Sequence, residues 1–458
     1  MNFIVVGAGL AGLVAAYKLR LLHPEADISV IERGAKPGGL LSGIDYPQNG
    51  LYFDQGTHIF QETGNTELDN FMKRAVSRDN LLQFSSGKGD LAGIFFNGVM
   101  QAHSHFPDLR TCSDIDILQR SINEQVANVG PVPEVNRSGS LFTSAAARFG
   151  ELYTSSVIEP MLANVYQRPA ESLAGFALLL PGLTRVIVDD LDLWLERSSD
   201  ERYRAIVGVP DQQKLPNELH HGRRSFYSRK YGTRSFIDGM VSELTDKGVN
   251  FFFDAQITTF NPASLSLSFK DRSGGEFNLK ADRFVLATGV IGAAKLLGVD
   301  LTARGLDKPM PYLLLDIELE SPTASDLCFA YGMDKECDWY RLTNYRAFSG
   351  DRNDRRITVE IIGDRMLDTE TIVEHICLQL RSCGIINNQK ILFSAVRQLE
   401  SGFPVPTMRN MNALNILGID LSARLPAGIL IAGIGARDGL FFQNEVVEDT
   451  FRRIEAFE

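Results

Sequence analysis

The sequence predicts an α/β protein that opens with a Rossmann-type nucleotide-binding unit, continues through a mostly helical stretch and then returns to sheet. Three observations carry this expectation. The chain starts as strand, glycine-rich turn, helix and strand; its middle third has helical apolar spacing; and short strands bounded by turn residues dominate after about residue 249.

Asn2 to Val6 is a β-branched and aromatic run that suits a pleated, buried strand. Leu13, Ala16, Leu19 and Leu22 then recur at helical spacing, and a second apolar run spans Ile28 to Ile31. Between first strand and helix stands Gly7-Ala8-Gly9-Leu10-Ala11-Gly12, and Glu32 ends the second strand. Gly7 permits the tight turn, Gly9 lets the backbone approach a pyrophosphate, and Gly12 lets helix and strand pack closely. The helix N-terminus, opening at Leu10 and Ala11, supplies N–H groups and dipole to an anion. Glu32 can accept hydrogen bonds from a ribose diol. Strand, helix and acid together predict dinucleotide binding.

Farther along, Leu68, Phe71, Met72 and Ala75 predict a helix over Asn65–Val76, and Asn97-Gly98 predicts a hairpin turn between Ile94-Phe95-Phe96 and Val99-Met100. From about Thr143 to Tyr203 the pattern is mostly helical, and Phe236, Ile237, Met240, Val241 and Leu244 mark another amphipathic helix. Strands are expected at Val249–Phe253, Ile257–Phe260, Leu265–Phe269 and Phe284–Ala287, then at Tyr312–Leu319 and Ile357–Ile362 with a helix around Thr369–Arg381 on that second sheet. The end reads helix, strand (Ile429–Ala432), glycine turn and helix (Asn444–Ala456). With no Pro/Gly/Ser linker between these stretches, the domains are expected to interleave.

The 458 residues amount to two or three typical domain lengths. A net charge of -11 disfavours a polyanion-binding surface, so no nucleic acid partner is expected. Cys112, Cys328, Cys337, Cys377 and Cys383 are scattered, with no C-x-x-C pair, and read as thiols of a reducing cytoplasm. The apolar run Leu173–Leu183 contains Pro181 and falls well short of the ~20 residues a membrane span needs, so no transmembrane segment is expected.

After Glu32 come Arg33, Lys36, Gly38-Gly39, Leu40 and Leu41. This stretch resembles the signature of two-dinucleotide-binding-domain flavoproteins, in which an acid, a spacer and a Gly-Gly pair set backbone against FAD. Phe53-Asp54-Gln55-Gly56-Thr57-His58-Ile59-Phe60 resembles the segment beside the isoalloxazine ring in the superfamily of amine oxidases, protoporphyrinogen oxidases and UDP-galactopyranose mutases, and the mutases carry a Gly-x-His there. Lys230-Tyr231-Gly232 before a helix, Ile257 at the adenine-facing position, Ala287-Thr288-Gly289 after a strand, and Ala432 to Gly439 followed by Leu440 extend the likeness in order. Within that last stretch the cofactor-facing residues would be Gly433, Arg437, Gly439 and Leu440. The resemblance implies FAD as cofactor and a discontinuous Rossmann-type FAD-binding domain from residues 1–75, 225–300 and 400–458. It also implies a mixed and helical substrate or lid region at 76–224 and an antiparallel-sheet substrate domain at 301–399.

Trp339-Tyr340-Arg341-Leu342-Thr343-Asn344-Tyr345 is similar to the mutase region whose arginine clamps the substrate diphosphate, which maps to Arg341. Arg437 matches an arginine facing flavin and substrate. A guanidinium fork suits phosphate because its donors pair bidentately with oxygens. Two roles are open to His58: an imidazole bonded to backbone, or a flavin-facing group. The usual mutase tyrosines are absent from Leu440-Phe441-Phe442-Gln443-Asn444. The activity implied is hydride transfer from a small anionic substrate to flavin N5, with His58, Arg341 and Arg437 as catalytic candidates and a nucleotide sugar or an amine among the substrates considered. The alternatives are a redox-neutral nucleotide-sugar isomerase using reduced FAD, and a non-catalytic flavin-binding subunit. Oligomeric state is left open. No metal is expected: His103, His105, His220 and His221 lack cysteine or carboxylate at ligand spacing, and Gly87-Lys88 lacks the surroundings of a phosphate loop.

Overall fold

Four of the five residues of β1 (Asn2–Val6) are buried, because this strand lies at the centre of a five-stranded sheet with partners on both edges. The computed structural model describes residues 1–85, 90–219, 224–363, 371–437 and 439–457. The chain divides into two compact units, the first from Met1–Gln83, Arg223–Leu306 and Asn412–Glu458, the second from Phe84–Gly222 and Asp307–Met411.

In the first unit β1 is flanked by β2 (Asp27–Ile31) and then β3 (Val249–Phe252) on one side, and by β4 (Arg283–Leu286) and β5 (Ile429–Ile431) on the other. All pairs are parallel, with Val6 opposite both Ile31 and Leu286. The strand order therefore reverses between β1 and β4, and a crevice at such a switch point, at the carboxyl ends of the strands, is where doubly wound sheets bind ligands. Alternation along the strands feeds two cores. Phe3, Val5, Ile28, Val30 and Val285 pack with α1 (Leu10–Leu22), α2 (Gly232–Asp246) and α4 (Gln443–Glu455) through Leu13, Val14, Phe236, Ile237, Met240, Val447 and Phe451. On the other face Ile4, Val6, Ile31 and Leu286 meet Val290 and Ala293 of α3 (Gly289–Leu296), and Leu267 and Phe269 of an antiparallel three-stranded sheet, Gln256–Asn261, Ser266–Lys270 and Glu276–Lys280. Each such side chain contributes roughly 1.5–3 kcal/mol by leaving water. α1 stops at His23, whose N–H closes on the Leu19 carbonyl just before Pro24, a residue that cannot continue the ladder.

In the second unit a seven-stranded sheet runs in the order Ile391–Gln398, Tyr312–Leu319, Arg356–Ile362, Arg341–Asn344, Phe329–Gly332, Ala92–Phe96 and Val99–Gln101. Its pairs are antiparallel except Phe329–Gly332 with Ala92–Phe96. Asn97 and Gly98 turn the last hairpin with φ of 52° and 73°, the left-handed pair that a two-residue turn of this kind needs. The helix Ile372–Ser382 covers one face through Ile372, Ile376 and Leu380. On the other, Leu314 and Tyr312 pack with the helical stretch, whose Leu141–Phe149 and Glu159–Tyr166 segments flank a π-helical turn at Thr154–Ile158.

The fold class is the expected one: a Rossmann-type parallel sheet, an antiparallel sheet and a helical stretch, with most element ends within a residue or two of their predicted positions. Strands at Phe329–Gly332 and Arg341–Asn344 were not predicted, because the first ends in glycine and the second has one apolar residue in four. No described helix is long and apolar enough to cross a membrane. Gly87-Lys88 and His220-His221 lie outside the described residues.

Candidate dinucleotide site

Two turns meet at the switch point of the first sheet. After β1, Gly7 takes φ 103°, and a Cβ there would sit 2.9 Å from the Ala287 carbonyl oxygen beyond β4. At Gly12 a Cβ would come within 1.9 Å of the Gly7 carbonyl oxygen, so helix and turn touch backbone to backbone. Gly9 differs from both: nothing lies within 4 Å of its Cβ position. It is the residue before α1, no side chain caps that helix, and no acid occupies the first turn, so the positive end of the helix dipole carries no acidic side chain of its own.

Glu32 is held beside this turn. Its carboxylate accepts hydrogen bonds from the backbone N–H groups of Ala8 and Gly34, both at 2.8 Å, leaving further lone pairs on each oxygen. The backbone of Glu32 bonds to Phe252 and Ala255, which places Ile257 two residues beyond the Glu32 contact and half-buried. Arg33 is exposed. Gly38 bridges to Gly9 and donates to the Ala8 carbonyl at 2.8 Å; both Gly38 and Gly39 have positive φ, and the Cβ position of Gly39 is also open. Leu40 is exposed at the short turn that follows.

Across β4, Ala287, Thr288 and Gly289 form a turn against the C-terminal one. Gly289 N–H donates to Ala432, Val290 N–H donates to Ile434, and Gly433 has φ 97° with its Cβ position 3.0 Å from Gly289 nitrogen. Leu440 is buried, its N–H returning to the Arg437 carbonyl, while Gly439 has φ 67°. Asp438 lies outside the described residues. These segments give the switch point open backbone positions at Gly9 and Gly39, an uncapped helix N-terminus and a carboxylate held beside them.

Gly56, with φ 95°, Thr57 and half-buried His58 follow a polar cluster that sequence reading missed. Asp54 is 1% exposed and accepts from Tyr52 Oη at 2.7 Å, Thr233 Oγ1 at 3.0 Å, Thr233 N–H at 3.2 Å and Tyr227 Oη. Gln55 Nε2 donates to Ser42 Oγ at 2.8 Å and to the Gly39 carbonyl at 3.2 Å, and Thr233 Oγ1 also lies 3.1 Å from the Leu41 carbonyl oxygen. The cluster therefore ties the Gly56–His58 segment to the Gly38–Gly39 turn and to the start of α2. Its one sequence signal was an acid ending the apolar run Leu51-Tyr52-Phe53.

The two arginines expected to receive an anion each face a buried carboxylate. Arg437, on the C-terminal turn, has Nε 2.7 Å from Asp449, which is 2% exposed. In the second unit Arg341 stands directly opposite Glu360 on the adjacent strand. Its Nε and one Nη each lie 2.8 Å from the Glu360 oxygens, and Tyr312 Oη donates to the same carboxylate at 2.5 Å. Tyr331 and Tyr340 line the guanidinium at 5.9 and 5.8 Å. Burial alone would lower the Arg341 pKa, but Glu360 outweighs it and holds the group protonated. The same burial, with Glu360 beside it, raises the Tyr312 phenol. Arg341 is thus not a surface arginine, and its bidentate fork is already filled by a carboxylate.

Among the expected non-ligand histidines, His103 Nε2 lies 2.9 Å from Asp108, and burial together with Arg185 lowers His105 to about 4. No group of three metal-ligating side chains occurs among the described residues.

Residues 5–75 match the NAD(P)-binding Rossmann-like domain family. Over 269 residues the chain is 21% identical to the coproporphyrinogen III oxidase of Staphylococcus aureus, 55% of this chain and 53% of that one, so the match spans about half of that relative. A reduced UDP-galactopyranose mutase superposes with a TM-score of 0.71 at 16% identity, covering 99% of this chain and 93% of that one. A protein of Exiguobacterium named as a putative protoporphyrinogen oxidase superposes with a TM-score of 0.65 at 14% identity, covering 99% of this chain and 98% of that one. The chain has the fold of the FAD-dependent amine oxidase-like superfamily. The family match covers the end of β1, the glycine turn, α1 and β2.

Proposed function

We propose that this protein is an FAD-dependent oxidoreductase that takes hydride from a small-molecule substrate. The observation that carries the reading is the cradle at the switch point: open positions at Gly9 and Gly39, an uncapped α1 N-terminus and Glu32 held beside them. When bound, FAD supplies the two-electron acceptor that side chains lack. The chain's own residues do the rest. Leu10, Ala11 and Gly12 would neutralise the pyrophosphate, Glu32 would take the ribose hydroxyls, and Ile257 would flank the adenine. Arg33, Gly38-Gly39, Leu40, Ala287-Thr288-Gly289, Gly433, Gly439 and Leu440 would line the remainder. The Asp54 cluster would orient Gly56, Thr57 and His58 for a flavin-facing role of the imidazole.

A mutase-like, redox-neutral reaction on a nucleotide sugar is the second reading, favoured by the Gly-x-His at Gly56–His58. It is the weaker one on two counts. The Arg341 fork that would clamp a diphosphate is paired with Glu360, and Phe441-Phe442 stand where mutases carry tyrosine. With Arg341 and Arg437 both facing carboxylates, the proposal does not rest on an anionic substrate.

The test is anaerobic titration of the FAD-loaded protein, following the flavin spectrum, with amines, porphyrinogens, nucleotide sugars and reduced nicotinamides. Bleaching by one organic class is the expected result. Protein that neither carries FAD nor takes it up would overturn the cofactor assignment; furanose formed from UDP-galactopyranose by the dithionite-reduced protein would establish the isomerase instead. Flavin that no donor reduces would leave only a binding role.

A further inference from the structure

We propose that Glu360 sets the charge of the substrate. By filling the Arg341 fork from within the chain, it closes the seven-stranded sheet of the second unit to molecules that bear phosphate or carboxylate. The substrate class that remains carries no such group, and among those named above it is the amines. This specificity rests on the oxidoreductase reading and on the seven-stranded sheet being where substrate is received.

The seven strands hold three cationic residues, Arg341, Arg356 and Arg397. Register puts all three on one face. Arg341 lies opposite Glu360, Glu360 opposite Leu314, and Leu314 opposite Arg397, while Arg356 stands four residues from Glu360 on the same strand. Each of the three is already answered by a carboxylate. Arg397 Nε donates to Asp316 at 2.8 Å, and Asp316 also accepts from Thr358 Oγ1 at 2.9 Å. Arg356 donates to Asp354 through Nε at 2.9 Å and through an Nη at 2.6 Å. The one further acid of the strands, Glu318, pairs with Arg355 just before the strand Arg356–Ile362. Four arginines therefore meet four carboxylates, and the strands offer no surplus positive charge to an anion.

The Arg341–Glu360 pair is the one built like an occupied anion site. A guanidinium receives phosphate or carboxylate on two parallel donors, and Glu360 takes such a pair, Nε and one Nη at 2.8 Å each. Tyr312 Oη adds a third donor to the same carboxylate, whose side chain has no exposed surface. An incoming anion would either expel Glu360 and leave a buried charge unpaired, or come to rest beside it as a like charge; both oppose binding. A molecule without an anionic group meets neither penalty. In Glu360→Gln the amide keeps the shape of the side chain but no longer balances the guanidinium, so Arg341 becomes the surplus cation that the face lacks.

The test uses the full FAD-loaded chain, in which the dinucleotide site is filled, and reads the binding of inorganic pyrophosphate by isothermal titration calorimetry. The parent chain should show no saturable binding up to about 10 mM, whereas Glu360→Gln should bind at least about tenfold more tightly, and adding Arg341→Met should remove the gain. Saturable binding by the parent that Arg341→Met abolishes, or a folded Glu360→Gln chain without the gain, would overturn the proposal. If Glu360→Gln fails to fold, the parent decides through anaerobic flavin titration with two donors that differ only in a carboxylate, an amine and the amino acid that yields it on decarboxylation. The amine should reduce the flavin at least about tenfold faster, and faster reduction by the amino acid would overturn the role of Glu360. Flavin that no donor reduces would count against the oxidoreductase reading instead, with pyrophosphate binding by the parent still judging Glu360.

Discussion

Glu360 has no exposed side-chain surface, yet it receives three donors: two from Arg341 and one from Tyr312. Opposite charges taken out of water hold together only while both are present, and removing one leaves an uncompensated buried charge costing about 3–5 kcal/mol. Glu360→Gln is therefore expected to lower unfolding free energy by about that much in urea titrations. Replacing both partners with apolar residues, Arg341→Met with Glu360→Leu, should recover most of the loss, since apolar substitutes avoid the desolvation penalty. If the single and double variants were equally unstable, the pair would not be what holds these strands. Arg341 could be read from sequence as a chemically capable group, and the strand carrying Glu360 was expected, but Arg341's own strand was not, so the register that sets the two opposite one another could not be read.

At the level of elements, the strand-turn-helix at the N-terminus separates two demands that the same glycine pattern makes. Gly12 meets a packing constraint inside the protein, while Gly9 borders open space. Gly12→Ala should cost about 3 kcal/mol or more, because its Cβ would collide with unyielding backbone. Gly9→Val should leave the apoprotein within about 1 kcal/mol of its parent while weakening FAD retention tenfold or more, measured by denaturant unfolding and by equilibrium dialysis. Equal loss of stability in both would mean that the turn serves packing alone. This motif was legible because strand, turn, helix and acid are contiguous, and the Asn97-Gly98 hairpin was legible for the same reason. The Asp54 cluster was not: Tyr52, Tyr227 and Thr233 come together from two segments more than 170 residues apart, and no local periodicity encodes that meeting.

On the scale of the whole molecule, the first unit is assembled from three pieces of chain, and the last contributes β5 and α4. β5 covers the edge of β4, and Val447, Phe451 and Ile454 of α4 are buried in the core against α1. Three such side chains represent roughly 5–9 kcal/mol of apolar burial, comparable with the entire ~5–15 kcal/mol stability of a typical domain. Deleting residues 412–458 should therefore abolish cooperative unfolding of this unit and FAD uptake together, with an exposed β4 edge promoting aggregation; a soluble, cooperatively folded product by circular dichroism would contradict this.

The same interleaving sets a timetable during synthesis. β1 leaves the ribosome first among the strands of its sheet, but its edge neighbour β4 gains β5 only after residue 429 has been added. At about 5–20 residues per second β4 waits roughly 7–30 s for β5, and the apolar face of α1 waits roughly 20–85 s for α4. The nascent chain would thus be a client for holding chaperones until its C-terminal segment arrives, and cofactor loading would be an event of the finished polypeptide rather than of the growing one.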